Sequence, residues 1–278
     1  NRPLMESIAQ SLAGRVALLT LMPFSLRELR SASLMKDNIN EAIFTGCFPR
    51  IYDKGIAPSD YYPNYIKTYI QRDVRELRDI GNLSMFNKFI KLCAGRIGQL
   101  LNKSSLAVEC GVTAPTIDTW LSILETSCII YFLRPDYNNF SKRLVKTPKL
   151  YFCDTGLACS LLEIHDASQL ETHYMRGNLF ENMVVSEFLK GAFNAGEEPV
   201  LSFWRDNVGH EVDLLQSIDG VQHAYEIKSG ATFSADYFKG LNYWSALSGA
   251  SSDRKSVIYG GGQTMQRSDG KVSTWREL

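Results

Sequence analysis

Residues 211–228 read EVDLLQSIDGVQHAYEIK, two strand-like runs joined by a turn at Ile218-Asp219-Gly220. An Asp-Gly pair between alternating apolar residues is a strong local signal for a β-hairpin. The first run, Glu211–Gln216, carries Asp213, and the second, Ala224–Lys228, carries Glu226 and Lys228. Successive strand residues point to opposite faces, so Glu226 and Lys228 share a face while Ile227 points into the core. Folding the hairpin sets Asp213 and Glu226 side by side on adjacent strands.

Working outward, Asn178–Asn194 (NLFENMVVSEFLKGAFN) spaces Leu179, Phe180, Met183, Val184, Phe188 and Leu189 as the apolar stripe of a helix that also bears Glu181. A strand is predicted at Val200–Trp204, a second helix at about Asp236–Leu247 and a further strand at Ser256–Tyr259. The order αβββαβ, with Glu, Asp and Glu-x-Lys each on its own element, resembles the core of the PD-(D/E)xK nucleases. Phosphodiester hydrolysis needs a cation that polarises the phosphate and acidifies a water. Mg²⁺ takes hard oxygen ligands, one or two carboxylates plus waters. Glu181, Asp213, Glu226 and Lys228 are therefore the candidate catalytic residues, with Asp213 and Glu226 as ligands for Mg²⁺ or Mn²⁺. Lys228 would orient or deprotonate the water and stabilise the charged transition state. Val212 stands where the signature has Pro. Alternation aims Glu211 to the side of Asp213, as a further candidate ligand, and His210 is expected at the surface. Taken alone, Glu-x-Lys on a half-exposed strand is an ordinary ion pair.

Upstream the pattern changes. Ile97–Leu101 reads as the start of a short helix, Ser104/Ser105 as a cap for Leu106–Cys110, Gly111-Val112 as a tight turn and Thr113–Thr126 as a third helix. Ile117, Leu121 and Leu124 fall on one face, the spacing of a helix-turn-helix. Strands at Ile129–Leu133 and Lys149–Phe152 flank a basic loop, which makes the unit a winged helix. Its DNA-contacting candidates are Thr113 and Thr116 on the recognition helix and Lys142, Arg143 and Lys146 on the wing, where basic residues meet phosphates. Winged helices also serve as protein-interaction modules. The predicted fold class is thus α+β: a helical segment and winged helix, then the nuclease-like αβββαβ unit.

Thirty basic and thirty acidic residues cancel over the chain, so net charge selects no partner. Locally, Lys88–Lys149 holds nine basic against four acidic residues, and Asn178–Gly230 holds nine acidic against three basic. A net of +5 followed by −6 suggests a polyanion-binding module beside a cation-binding one. The six cysteines are scattered without metal-site spacing and read as buried free thiols of a reducing, cytoplasmic compartment. No apolar run is long enough to span a membrane.

The first thirty residues, with SLAGRVALLTLMPFSLREL, resemble the end of the ATPase module in a large bacterial and archaeal family of AAA+ ATPases. YIKTYIQRDVREL, LYFCDTGLACSLL, RGNLFENMVVSEF and the EVDLL…YEIKSG pair also match that family. In it the ATPase precedes a domain of unknown function that combines a winged helix with a nuclease-like fold. The resemblance implies an ATPase remnant over 1–30, a helical linker region over 31–96, a winged helix-turn-helix over 97–155 and a nuclease-like domain over 156–278. ATP would be bound only in the intact protein, since this chain has no G-x-x-x-x-G-K-[ST]. Arg15 matches an arginine of the family's ATPase stretch. The expected function is a DNA-binding, Mg²⁺-dependent nuclease-like portion of an ATPase, with DNA as partner and homo-oligomer formation left open. The alternative is a non-catalytic DNA- or protein-binding regulatory module on a degenerate nuclease fold. A pure transcription factor ranks last, because it leaves the acidic module without a purpose.

Overall fold

The structure, a computed structural model, describes residues 19–69, 83–136 and 145–278. They form a mixed α+β fold built on one eight-stranded sheet.

The N-terminal part is helical. In α1 (Leu26–Ser31) the Ser25 hydroxyl caps the Glu28 N–H and Glu28 reaches back to the Ser25 N–H, a reciprocal capping box. Next come α2 (Ile39–Thr45), capped by Asn38, then α3 (Pro49–Lys54) and α4 (Pro58–Tyr65), each with proline in its first turn. Then follow α5 (Leu83–Ala94), α6 (Lys103–Cys110) and α7 (Ala114–Thr126). Phe86 and Phe89 of α5 pack on Trp120 of α7 at ring separations of 5.3 Å. The Thr113 hydroxyl caps α7, and Gly111 makes the turn between α6 and α7 at φ +72°, a conformation that favours glycine.

Two expectations need correction here. Ile97–Leu101 is not helical: Ile97 and Leu100 bridge to Leu150 and Lys149, and the Gly98 and Leu101 N–H groups bond to the carbonyls of Leu150 and Pro148. Gly98, at φ +70°, turns the chain toward that strand. The cap of α6 is Asn102, whose side chain accepts from the Ser105 N–H, rather than a serine.

The sheet has the order β2-β1-β3-β4-β5-β6-β8-β7. It comprises β1 (Ile130–Pro135), β2 (Lys149–Phe152), β3 (Leu201–Arg205), β4 (Glu211–Ile218), β5 (Val221–Lys228), β6 (Lys255–Tyr259), β7 (Met265–Gln266) and β8 (Lys271–Thr274). The strands flanking the basic loop, β1 and β2, belong to this same sheet, with β1 parallel to β3. Between β2 and β3 lie α8 (Thr155–Leu161) and α9 (Arg176–Asn194), and α10 (Lys239–Ser248) crosses from β5 to β6.

Both faces of the sheet are covered. On one, Leu179, Phe180, Met183 and Val184 of α9 join Phe203, Leu214 and Ile227 in the larger core. On the other, Leu241 and Trp244 of α10 pack with Trp204, Val212, Leu215, Ala224, Val257 and Val272. Alternation along β5 therefore sends Ile227 into the α9 core, as its sequence predicts.

Candidate functional site

The site forms where β4 and β5 part. Their antiparallel ladder runs from Ile218 opposite Val221 to Leu214 opposite Tyr225 and then stops. Asp213 and Glu226 are the next residue on each strand. On its other edge β4 pairs with β3 as Leu215 opposite Ser202, then Val212 opposite Trp204. Asp213 and Leu214 thus stand together against Phe203, so β4 carries one extra residue here. Such a bulge re-aims a side chain. Asp213 uses it to bind across to β5: its Oδ2 accepts the Ile227 main-chain N–H at 2.8 Å.

Lys228 joins the two acids. Its Nζ lies 2.6 Å from Glu226 Oε1 and 3.4 Å from Asp213 Oδ2. Glu226 Oε2 is buried with no hydrogen-bond partner among the described residues. Gly240, in the first turn of α10, lies close to both the Glu211 carbonyl oxygen and Glu226, leaving no room for a side chain against that carbonyl. Burial, with the Asp213 charge beside it, pushes the Glu226 carboxyl from an ordinary 4.5 up to about 8, and Lys228 only partly offsets this. For Lys228, burial disfavours the charged form, but Asp213 and Glu226 outweigh it and raise its pKa.

Glu181 hydrogen-bonds to a different set of partners, while the Asp213 charge also acts on it. Its Oε1 accepts from the Tyr151 hydroxyl at 2.5 Å and the Lys149 ammonium at 3.2 Å. Burial raises the Glu181 pKa, opposed chiefly by Lys149. Lys149, 2% exposed, also pairs with Glu211, whose second oxygen meets Arg205 at 3.0 Å. Glu211 is thus engaged by cations. Lys149 and Tyr151 did not figure among the sequence candidates. The signal was present in Lys149-Leu150-Tyr151-Phe152, where a lysine and a tyrosine share one face of a short apolar strand.

Among the described residues no group of three or more His, Cys, Asp or Glu is arranged to hold a metal ion. The donors at Asp213 and Glu226 nonetheless suit a hard cation by type: two carboxylates, one with an oxygen that no described residue satisfies.

In the candidate DNA-contacting set, Thr113 Oγ1 lies 3.4 Å from the Thr116 N–H that it caps and 2.8 Å from the Thr116 hydroxyl. Asp118 pairs with Lys103 at 2.6 Å. Lys146 is exposed. Lys142 and Arg143 lie outside the described residues, as does Arg15. All six cysteines are free; five are buried and Cys128 is exposed. No helix among the described residues is long and apolar enough to cross a membrane.

Two family models match, each described as a domain of unknown function: DUF8612 over residues 36–168 and DUF4143 over residues 176–278. The second covers the whole acidic site except Lys149 and Tyr151. Uncharacterized proteins of Mycobacterium bovis and Mycobacterium tuberculosis are each 28% identical to this chain over 265 residues. Those alignments cover 95% of this chain but 58% of each relative's length. No solved structure matches significantly.

Proposed function

We propose that this chain is the DNA-binding, nuclease-like portion of an AAA+ ATPase, and that Asp213 and Glu226 hold a Mg²⁺ or Mn²⁺ ion. One observation carries the reading: Asp213, Glu226 and Lys228 converge where two strands part, with a carboxylate oxygen of Glu226 buried and unpaired. The element order, α9 followed by β3, β4, β5, α10 and β6, supports the reading, since it is the order expected of a PD-(D/E)xK core. The ion would polarise a phosphodiester and lower the pKa of a bound water. Lys228 would position that water and offset charge developing on the phosphate. Upstream, α5, α6, α7 and the β1–β2 pair would act as a winged helix, with Thr113 and Thr116 toward DNA and Lys142, Arg143 and Lys146 on the phosphates. ATP binding would belong to the complete protein, and the place of action would be the cytoplasm. The test is cleavage of DNA with Mg²⁺ or Mn²⁺: Asp213→Ala and Lys228→Ala should each abolish it. Cleavage that survives both substitutions would sink this site.

A second reading is favoured by the pairing of Glu181 with Lys149 and Tyr151 and of Glu211 with Lys149 and Arg205. Ion pairs that close the neighbouring acids suit a non-catalytic regulatory module on a degenerate nuclease fold. This reading requires that calorimetry detect no divalent-cation binding. Binding that disappears with Asp213→Ala or Glu226→Gln would exclude it.

A further inference from the structure

The loop between β3 and β4 holds an aspartate–histidine pair that the candidate site does not use. Asp206 Oδ1 accepts the main-chain N–H groups of Val208, Gly209 and His210 at 2.8–2.9 Å. Asp206 Oδ2 lies 2.8 Å from His210 Nδ1. The aspartate is 4% exposed. Burial raises its pKa, but the bonds from the His210 ring and the three N–H groups outweigh this and hold the carboxyl below its ordinary range. An ionised Asp206 accepts, so His210 Nδ1 is the donor. From the other side, the His210 ring stacks on Tyr243 of α10 at 3.8 Å between centroids and 13° between planes.

Three main-chain bonds already brace the loop. The ring adds a second layer of order: its rotation is fixed by Asp206, its plane by Tyr243 and its tautomer by the Nδ1 bond. Yet 43% of the His210 side chain remains exposed, and Nε2 has no protein partner among the described residues. Protonated at both nitrogens, the ring gives one N–H to Asp206 and presents the other to an anion. His210 immediately precedes β4 and lies three residues before Asp213, on the order of 10 Å along an extended chain. Arg205, Glu211 and Tyr243 are the other charged or titratable groups flanking it.

We infer that His210, oriented by Asp206 and Tyr243, is a phosphate-contacting subsite that holds a nucleic-acid strand beside Asp213 and Glu226. The inference rests on the nucleic-acid reading above but not on metal-dependent cleavage. Nε2–H donates to a phosphate oxygen neighbouring the phosphodiester at the acids, so His210 is a binding residue and takes no part in bond breaking.

The test uses the full chain and a fluorescein-labelled DNA oligonucleotide, with EDTA present. His210→Phe keeps the stack on Tyr243 and removes both nitrogens. It should weaken binding about fivefold to tenfold and reduce the slope of log affinity against log salt by about one. His210→Gln, which keeps a donor, should recover most of the loss. In the unsubstituted chain the ¹⁵N resonance of His210 Nε2 should move on adding the oligonucleotide; this readout stands even if a variant misfolds. Unchanged binding in His210→Phe, or an Nε2 resonance that stays put while the oligonucleotide binds, overturns the subsite. A chain that binds no oligonucleotide overturns the subsite together with the DNA reading. Binding that depends on His210 in a chain that never cleaves removes only the nuclease reading.

Discussion

Asp213 is fastened to the main chain of Ile227, the residue between Glu226 and Lys228, so one acid of the site is held by the strand that carries the other. The bond makes the spacing of the two carboxylates a property of the backbone. It also separates what Asp213 does for folding from what it does for chemistry. Asp213→Ala should leave the buried Ile227 N–H unsatisfied and cost about 1–3 kcal/mol in urea unfolding. Asp213→Asn can still accept that N–H and should stay within about 1 kcal/mol of the unsubstituted chain, yet lose divalent-cation binding. If Asn and Ala destabilise equally, the main-chain bond is not what matters at this position.

The raised pKa of Glu226 predicts an unusual pH profile. In the unfolded chain the carboxyl titrates near 4.5, and in the folded chain near 8. Between those values the folded state binds the extra proton, so this group's contribution to stability is lost as pH rises through the window. The melting temperature should fall by roughly 5–10 °C from pH 5 to pH 8. Glu226→Gln should flatten this fall. Under the proposed function, Mg²⁺ or Mn²⁺ should restore stability at pH 8 much more than at pH 5, because the ion replaces the proton. A melting temperature with the same pH slope in Glu226→Gln would assign the effect elsewhere.

Lys149 carries a different load. It is buried between Glu181 and Glu211, whose charges, together with that of Asp213, raise its pKa despite the cost of burial. Lys149→Met strands a buried carboxylate and should destabilise by about 3–5 kcal/mol. Adding Glu181→Gln should recover a substantial part of that loss, because the amide needs no counter-charge and can still accept from Tyr151. Additive losses in the double variant would show that the two residues do not act as a pair.

Much of this site can be read along the chain, and the part that cannot has physical reasons. Alternation and the Asp219-Gly220 turn carry the hairpin, so β4 and β5 lie where the pattern EVDLLQSIDGVQHAYEIK puts them, with Ile227 inward. The bulge at Asp213 leaves no trace, because an extra residue on one strand shows only against its partner. The destination of Glu181 is equally silent: helix periodicity gives its face, but Lys149 and Tyr151 lie about thirty positions away. At Ile97–Leu101 apolar spacing suggests a helix, and the choice is made instead by Gly98 and the open edge of β2. Local patterns reported elements well; pairings between distant elements were beyond them.

A buried ion pair on α9 holds residues 24–26. Glu187 and Lys190, one turn apart on α9, are both buried and pair at 2.7 Å. Each also binds the main chain of that segment: Glu187 Oε2 accepts the Leu26 N–H at 2.6 Å, and Lys190 Nζ donates to the Phe24 carbonyl at 2.9 Å. The pair therefore clamps the start of α1 to the helix that carries Glu181. Glu187→Ala leaves a buried ammonium without its counter-charge and should cost about 3–5 kcal/mol. Replacing both residues with leucine and methionine removes the charges together and should cost less than either single alanine, but it still loses the grip on residues 24–26. Limited proteolysis separates the two effects. In the double variant the core should resist digestion while the chain near Phe24 becomes cleavable. Protection of that segment in the double variant would mean that apolar packing by Leu26 and Leu29, rather than the ion pair, holds it in place.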